Sequence, residues 1–178
     1  MRKTVFKWFW LWNFEKEEKW LNDMASKGLA MAGVGFAQYT FDESAPGEYV
    51  IRLEMLKQHP GHPESQSYIR FLEEMGAEHV ATLFRWVYFR KKSDGAAFNL
   101  FSDIDSRIRH LNRMLWLPGI LGAVNLFNAI SWTLRYFSEG YGLIIALLCG
   151  TMALLLIYGF VRIWLKKQQL RRERLLHE

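Results

Sequence analysis

Cysteine is almost absent from the chain. Cys149 is the one cysteine among 178 residues, so no disulfide bond can form within a single copy. Small secreted domains usually depend on several such bonds. This composition excludes a disulfide-stabilised extracellular scaffold, and it fits a soluble part that faces the reducing cytosol.

Recognised catalytic motifs are also missing. The sequence has no glycine-rich phosphate loop, no nucleophile elbow and no metalloprotease helix. His59 and His62 are spaced like two metal ligands, but Pro60-Gly61 between them is typical of a turn. We therefore predict no catalytic residue, no metal site and no cofactor.

Long runs without charge are present, by contrast, in the C-terminal part. Residues 114–134 contain no charged side chain, and residues 141–165 contain only Arg162. About 20 apolar residues suffice for a helix to cross a bilayer. The short link at 135–140 predicts a transmembrane hairpin, and two buried helices of a soluble protein are the alternative interpretation.

The charges that flank the two runs predict their orientation. Basic residues that flank membrane helices remain on the cytoplasmic side, and the link carries only Arg135 with Glu139 close by. We therefore expect a multi-pass protein of the cell membrane with both termini in the cytoplasm. The flanking basic residues are Arg107, Arg109, Arg113, Arg162, Lys166, Lys167, Arg171, Arg172 and Arg174.

Four residues of the hairpin are candidates for helix packing. Asn125 and Asn128 lie in the first run, and polar side chains within a membrane often join helices by hydrogen bonds. Ala146 and Gly150 form a small-x-x-x-small pair in the second run. We expect them to pack the two helices of one copy, or the hairpins of a homo-oligomer.

The soluble part carries no net charge. Residues 1–100 contain 13 basic and 13 acidic residues, and the excess of +5 lies in the C-terminal part. A nucleic-acid-binding domain would concentrate positive charge on the soluble part. We therefore expect the bilayer to be a partner, and we expect no direct binding of nucleic acid.

The pattern of the soluble part predicts a ferredoxin-like fold. Its order is strand, helix, strand, strand, helix, strand, which is the split βαβ pattern. A similarity between residues 20–24 and 71–75 indicates an internal repeat. The predicted strands are 5–12, 36–41, 48–56 and 85–91, and the predicted helices begin at Phe14 and Pro63 and end before Gly28 and Gly76.

The chain thus divides into five predicted segments of an α+β protein. Ser102 and Asp105 resemble a helix capping box, which predicts an amphipathic helix before the membrane. The segments are a ferredoxin-like cytosolic domain (1–92), a loop and juxtamembrane helix (93–113), two transmembrane helices (114–134 and 141–165) and a basic cytosolic tail (166–178).

Alternation of side chains along the strands predicts a binding surface. If Ile51, Leu53 and Val87 face the helices, an aromatic set remains on the open face of the sheet. Exposed apolar patches larger than about a few hundred Å² usually mark an interaction site. The alternative is that the first strand has the opposite orientation and its tryptophans are core. The predicted set is Trp8, Trp10, Trp12, Arg52, Glu54, Trp86 and Tyr88.

Several segments together resemble the bacterial family called domain of unknown function 2812. They are Phe6–Trp10, Glu18–Leu21, Gly47–Tyr49, Trp86–Lys91 and Phe101–Ser106. The resemblance covers roughly residues 4–113 and supplies no catalytic residues. It implies a genomic context beside transcriptional regulators of the PadR type, and hence a membrane partner of a cytosolic repressor.

We carry three classes of function forward from these observations. The first is a membrane-anchored regulatory or sensory module that binds a protein partner or a small ligand through the tryptophan-rich face. The second is a structural or oligomeric membrane protein without a ligand. An enzyme on a ferredoxin-like fold is the third, although the fold alone is no warrant for activity.

Overall fold

The computed structural model describes residues 2–93, 98 and 104–177, with the side chains of 104–106 and 173–177 left out. It separates into two compact units, Met1–Ser102 and Asp103–Glu178. The predicted capping residue Ser102 lies outside the described residues, as does the side chain of Asp105. Each unit is considered by itself below.

The first unit is a mixed α+β structure with two antiparallel three-stranded sheets. Sheet A has the order β1-β3-β2, and sheet B has the order β4-β6-β5. The elements are β1 (Arg2–Phe6), α1 (Phe14–Ala25), β2 (Leu29–Gly35), β3 (Gln38–Glu43), β4 (Tyr49–Met55), α2 (Pro63–Glu74), β5 (Glu78–Leu83) and β6 (Trp86–Lys92).

The two halves of this unit are copies of one strand-helix-strand-strand motif. Ala30 pairs with Asp42 in sheet A, and Glu78 pairs with Arg90 in sheet B, a constant shift of 48 residues. The same shift relates the irregularity at Met31/Gly33 to that at His79/Ala81. Sequence reasoning detected the repeat, but it aligned the helices three residues out of register.

Glycine ends both helices in the same way. Gly28 and Gly76 have φ values of +81° and +86°, a left-handed conformation that glycine adopts without steric cost. Their amide groups donate to Ala25 and Glu73, which are again 48 residues apart. The two helix ends therefore confirm the duplication independently of the strands.

Helix α1 is shared between the two halves. The buried core around Leu21 contains Phe41 of sheet A together with Ile51 and Tyr88 of sheet B. The side chain of Asn22 accepts from the Ile51 amide and donates to the Ile51 carbonyl, both at 2.9 Å. This amide therefore satisfies the edge of β4 as another strand would.

Helix α2 covers the other face of sheet B. Ile69 and Leu72 pack with Val87 and Phe89 in a second buried core. Its N-terminus is closed by His62, whose Nδ1 accepts from the Glu64 amide, and Pro63 stands at the first helical position. Sheet B is consequently packed on both faces and offers no open aromatic surface.

The ferredoxin-like topology is not confirmed, because six strands in two sheets replace the predicted four strands in one. The prediction omitted β2, which is rich in alanine and glycine, and β5, which lacks a continuous apolar run. Such strands carry little of the β-branched and aromatic signal on which strand prediction rests. The predicted strand at 5–12 is also wrong, since β1 ends at Phe6.

The second unit consists of α3 (Ile104–Glu139) and α4 (Leu143–His177). Both are long and apolar enough to cross a membrane, judged by length and composition. Gly140 and Gly142 in the link adopt positive φ values of +77° and +97°. The hairpin turn therefore depends on residues without a Cβ.

Candidate functional site

The structure brings the three predicted tryptophans of the first strand together. Trp10 and Trp12 stack with ring centroids 5.1 Å apart and nearly parallel planes. Trp8 meets Trp10 edge-on at 5.6 Å and Phe36 at 5.1 Å. We call Trp8, Trp10 and Trp12 the tryptophan cluster.

This cluster lies on a connection and not on a strand. It follows β1, and its last member, Trp12, lies in a short 3-10 helix at Leu11–Asn13 that leads into α1. Trp8 is 50% exposed, Trp10 is 41% exposed and the adjoining Phe36 is 70% exposed. Large apolar rings are thus presented to solvent from one short segment.

The segment is nevertheless held firmly. Phe9 points inward and packs edge-on against Tyr39 at 6.2 Å and near Trp20 at 5.6 Å. The Lys7 amide donates to the Ala37 carbonyl at 3.0 Å, and the Asn13 amide donates to Trp10 at 2.8 Å. Alternation of Phe9 inward with Trp8 and Trp10 outward places the rings on the surface.

The second half of the first unit provides a comparison for this connection. In the second half, the connection from β4 to α2 is residues 56–62, which contain no aromatic residue other than histidine. Its first amide, that of Leu56, donates to Arg85 as that of Lys7 donates to Ala37. The second connection thus keeps this backbone hydrogen bond with no tryptophan among its residues.

The prediction that one face of sheet B is open is wrong, because Ile51 and Leu53 face α1 while Val87 and Phe89 face α2. Arg52 pairs with Phe89, and Glu54 pairs with Val87. Directly opposed residues share a face, so Arg52 and Glu54 lie on the α2 side. Tyr88 lies opposite Leu53 and is buried in the core around α1. The error arose because the prediction assumed a two-layer fold, in which helices cover only one face of the sheet.

The other four residues of the predicted binding set contact residues outside the tryptophan cluster. The Arg52 guanidinium lies 3.3 Å from Glu18, and Nε donates to the Phe98 carbonyl at 2.7 Å. Glu54 is buried and accepts from the Tyr68 hydroxyl at 2.6 Å. Trp86 packs near Phe14 at 5.9 Å.

Sequence reasoning missed the polar centre of the first unit. The Tyr39 and Tyr88 hydroxyls both donate to Oε1 of Glu17, at 2.8 and 2.7 Å. Glu17 belongs to α1, Tyr39 to sheet A and Tyr88 to sheet B. We call these three residues the Glu17 network. Glu17 lies within a run of charged side chains at residues 15–19, and no local pattern distinguishes it from its exposed neighbours.

Burial controls the ionisation of the network. Removal from water raises the pKa of Glu17 above its usual value, although the two hydroxyl donors favour the charged form. Burial and the adjacent carboxylate likewise raise the pKa of both tyrosines. The tyrosines therefore remain protonated hydrogen-bond donors, and Glu17 is the member that titrates.

The candidate metal-binding histidines take part in local turns. His59 Nδ1 accepts from the Gly61 amide at 3.1 Å, and His62 caps α2. Within residues 2–93, 98 and 104–177, no group of three or more histidine, cysteine, aspartate or glutamate side chains is arranged to hold a metal ion.

The hairpin residues fall into two groups. Asn125 and Asn128 donate to the carbonyls of Leu121 and Val124, four residues earlier in their own helix. A methyl group on Gly150 would lie 3.9 Å from the Ala129 methyl, and Ala146 is buried. The small residues therefore lie where α3 and α4 approach closely. The two asparagines instead form hydrogen bonds with the backbone of their own helix.

The Glu17 network predicts a pH-dependent stability of the whole chain. A raised pKa means that protonation stabilises the fold. This contribution is complete below pH 4.5, the usual pKa of glutamate, and is lost as pH rises through the raised value. We expect Glu17→Gln, which keeps the acceptor oxygen, to flatten this dependence in thermal unfolding of detergent-solubilised protein.

Glu73→Gln, on the exposed surface of α2, is the matched control for that measurement. It should leave the pH dependence unchanged. Equal slopes for wild type and Glu17→Gln across the acidic to neutral range would contradict the assignment.

Comparison with known proteins supports the resemblance noted in the sequence. No curated protein and no solved structure matches the chain. A family model described as a protein of unknown function (DUF2812) matches residues 13–121. The match spans more than half of the chain, including most of both sheets and the start of α3. The chain therefore belongs to the DUF2812 family.

Proposed function

We propose that the protein is a membrane-anchored regulatory module whose soluble unit binds a cytosolic protein through the tryptophan cluster. The observation that carries this proposal is the exposure of Trp8 and Trp10 at a connection that the second half builds without tryptophan. Tryptophan is enriched at the energetically important centres of protein interfaces.

The geometry of the cluster suits this role. The Trp10 ring stacks on that of Trp12 and meets the Trp8 ring edge-on, so the exposed Trp8 and Trp10 offer adjoining aromatic surfaces to a partner. Phe9 and the backbone hydrogen bonds fix the segment, so binding costs little conformational entropy. A rigid aromatic patch is a better docking surface than one that must first become ordered.

The hairpin supplies the anchor in this proposal. Helices α3 and α4 reach the length and hydropathy of membrane-crossing helices, and basic residues flank both of them. Both termini then lie in the cytoplasm with the soluble unit. A repressor of the PadR type is the partner that the family resemblance implies, and its capture at the membrane would withdraw it from DNA.

Co-purification tests the proposed interface. We expect a PadR-type regulator, co-expressed with the tagged full chain, to be retained from mild detergent by wild type. We expect Trp8→Ala/Trp10→Ala to retain at least tenfold less regulator than wild type. Truncation of two central rings removes several kcal/mol of binding energy, about 2 or more per hot spot.

Phe71→Ala/Phe84→Ala is the matched control for this experiment. Both rings are exposed, at 53% and 77%, and neither belongs to the cluster. Retention that falls equally in the two double variants would reject the cluster as the interface. Self-association alone, unchanged in both, would favour a structural membrane protein without a ligand.

Cysteine labelling tests the orientation. In a Cys149→Ala background, a membrane-impermeant maleimide should label Ser138→Cys on intact cells, since Ser138 lies near the link between the helices. Ser26→Cys, on the exposed end of α1, should be labelled only after the cells are permeabilised. The reverse pattern would contradict cytoplasmic termini.

A further inference from the structure

The edges of the two sheets differ in how they are closed. Asn22 closes the edge of β4, and the Leu53 amide of that strand donates to the Glu18 carboxylate at 3.2 Å. On β2, the Met31 carbonyl accepts from the Arg90 guanidinium at 2.9 Å. β1 forms the opposite edge of sheet A. Within the part of the chain that the structure describes, no group is hydrogen-bonded to the outer side of β1.

The hydrogen bond of Lys7 shows which backbone groups of β1 point outward. Its amide donates to the Ala37 carbonyl, and residues that bond to the neighbouring strand alternate with residues that do not. Val5 and Lys3 therefore bond to β3 together with Lys7. The amide and carbonyl groups of the intervening residues point away from sheet A. The outward set is Arg2, Thr4 and Phe6.

The outward set is accessible to another strand. Arg2 and Thr4 are exposed, and Phe6 is 76% exposed. An edge with unpaired amide and carbonyl groups is a template for strand addition, and charged side chains on an edge restrict that addition. The charge pattern of β1 therefore decides which strand it can accept.

β1 is complementary to a second copy of itself. An antiparallel pair with its two-fold axis at Thr4 places Thr4 opposite Thr4 of the second copy, Arg2 opposite Phe6, and Lys3 opposite Val5. Each opposed pair of the outward set then exchanges both backbone hydrogen bonds. All outward groups of β1 are satisfied, and no lysine lies opposite another cation.

Other symmetric registers lack this complementarity. An axis at Arg2 or Lys3 sets two identical cations opposite each other, and an axis at Val5 sets Lys3 opposite Lys7. Like charges that are directly opposed destabilise a strand pair. An axis at Phe6 leaves only that outward residue paired within β1. The basic residues of β1 therefore select the central register and disfavour the shifted ones.

We propose that two copies of this chain associate by antiparallel pairing of their β1 strands, centred at Thr4, so that the two sheets A become one continuous sheet. The Arg2 guanidinium of each copy lies beside the Phe6 ring of the other, an arrangement that favours a cation–π contact. Opposed threonines further stabilise the centre of the pair. The interface is isologous, with the same residues contributed by both copies.

The hairpin supports this association. Two chains anchored in one bilayer carry their soluble units on the same side, so a two-fold axis along the membrane normal can relate them. Confinement to one membrane also raises the effective concentration of each β1 for the other. This step rests on the anchoring part of the proposed function, whereas the pairing of β1 does not involve the tryptophan cluster.

Disulfide formation tests the register. In a Cys149→Ala background, Thr4→Cys places two thiols at a directly opposed pair with Cα atoms about 5.5 Å apart, which is within disulfide range. Gln38→Cys is the matched control, because Gln38 is also exposed but lies on β3. Its two copies would be about 14 Å or more apart, three strand spacings. Mild copper oxidation of native membranes should give about fivefold or more covalent dimer at position 4 than at position 38.

A proline variant tests the hydrogen bonds of the edge. Thr4→Pro removes an outward amide and leaves the bonds from β1 to β3 in place, as proline permits on an edge strand. We expect the detergent-solubilised full chain with Thr4→Pro to dissociate at a concentration about tenfold or more above that of wild type in analytical ultracentrifugation. Thr4→Val, which keeps the amide, should remain close to wild type.

Two results would overturn this interface. One is a monomeric wild-type chain, and the other is a dimer that Thr4→Pro leaves unchanged and that cross-links equally at positions 4 and 38. The second result would assign self-association to another surface, such as the hairpin. Because no regulator is present in these measurements, their failure leaves the co-purification result standing, and the reverse also holds.

Discussion

One carboxylate joins the two halves of the soluble unit, and the placement of the remaining elements depends on it. Glu17 of α1 accepts hydrogen bonds from Tyr39 of sheet A and Tyr88 of sheet B. Asn22, one turn further along, pairs with the edge of β4. A buried polar group is costly unless it is satisfied, so these contacts favour the position that α1 takes against both sheets. The connection that enters α1 is thereby fixed as well.

Duplication allows the two strand-to-helix connections to be compared within one chain. Both halves reproduce one register, one strand irregularity and one glycine-terminated helix. Their strand-to-helix connections differ, however, and only the first is aromatic. The connection in the second half makes the same backbone hydrogen bond without a tryptophan, so we expect the aromatic character of the first to matter little for the fold. The second half thus provides an internal comparison for the first connection, which a chain without a duplication would lack.

The accuracy of the sequence predictions followed the strength of the local signals. The bounds of α1, α2 and β6 were close, because glycine, proline and apolar periodicity define them. Strands β2 and β5 were missed, since alanine, glycine and polar residues dominate them. The exposed Trp8 and Trp10 were identified from an incorrect sheet, and the Glu17 network escaped prediction because it joins residues 22 and 71 positions apart. Whether the tryptophans bind a partner remains a prediction.

The central claim is that the tryptophan cluster serves binding and contributes little to folding. The most direct test is the free energy of unfolding of the detergent-solubilised full chain. We expect Trp8→Ala/Trp10→Ala to change it by less than about 1 kcal/mol, as exposed positions usually do. Trp20→Ala, which removes a ring packed on the core, should cost about 3 kcal/mol. An equal loss in both variants would show that the cluster is part of the core and would contradict the account.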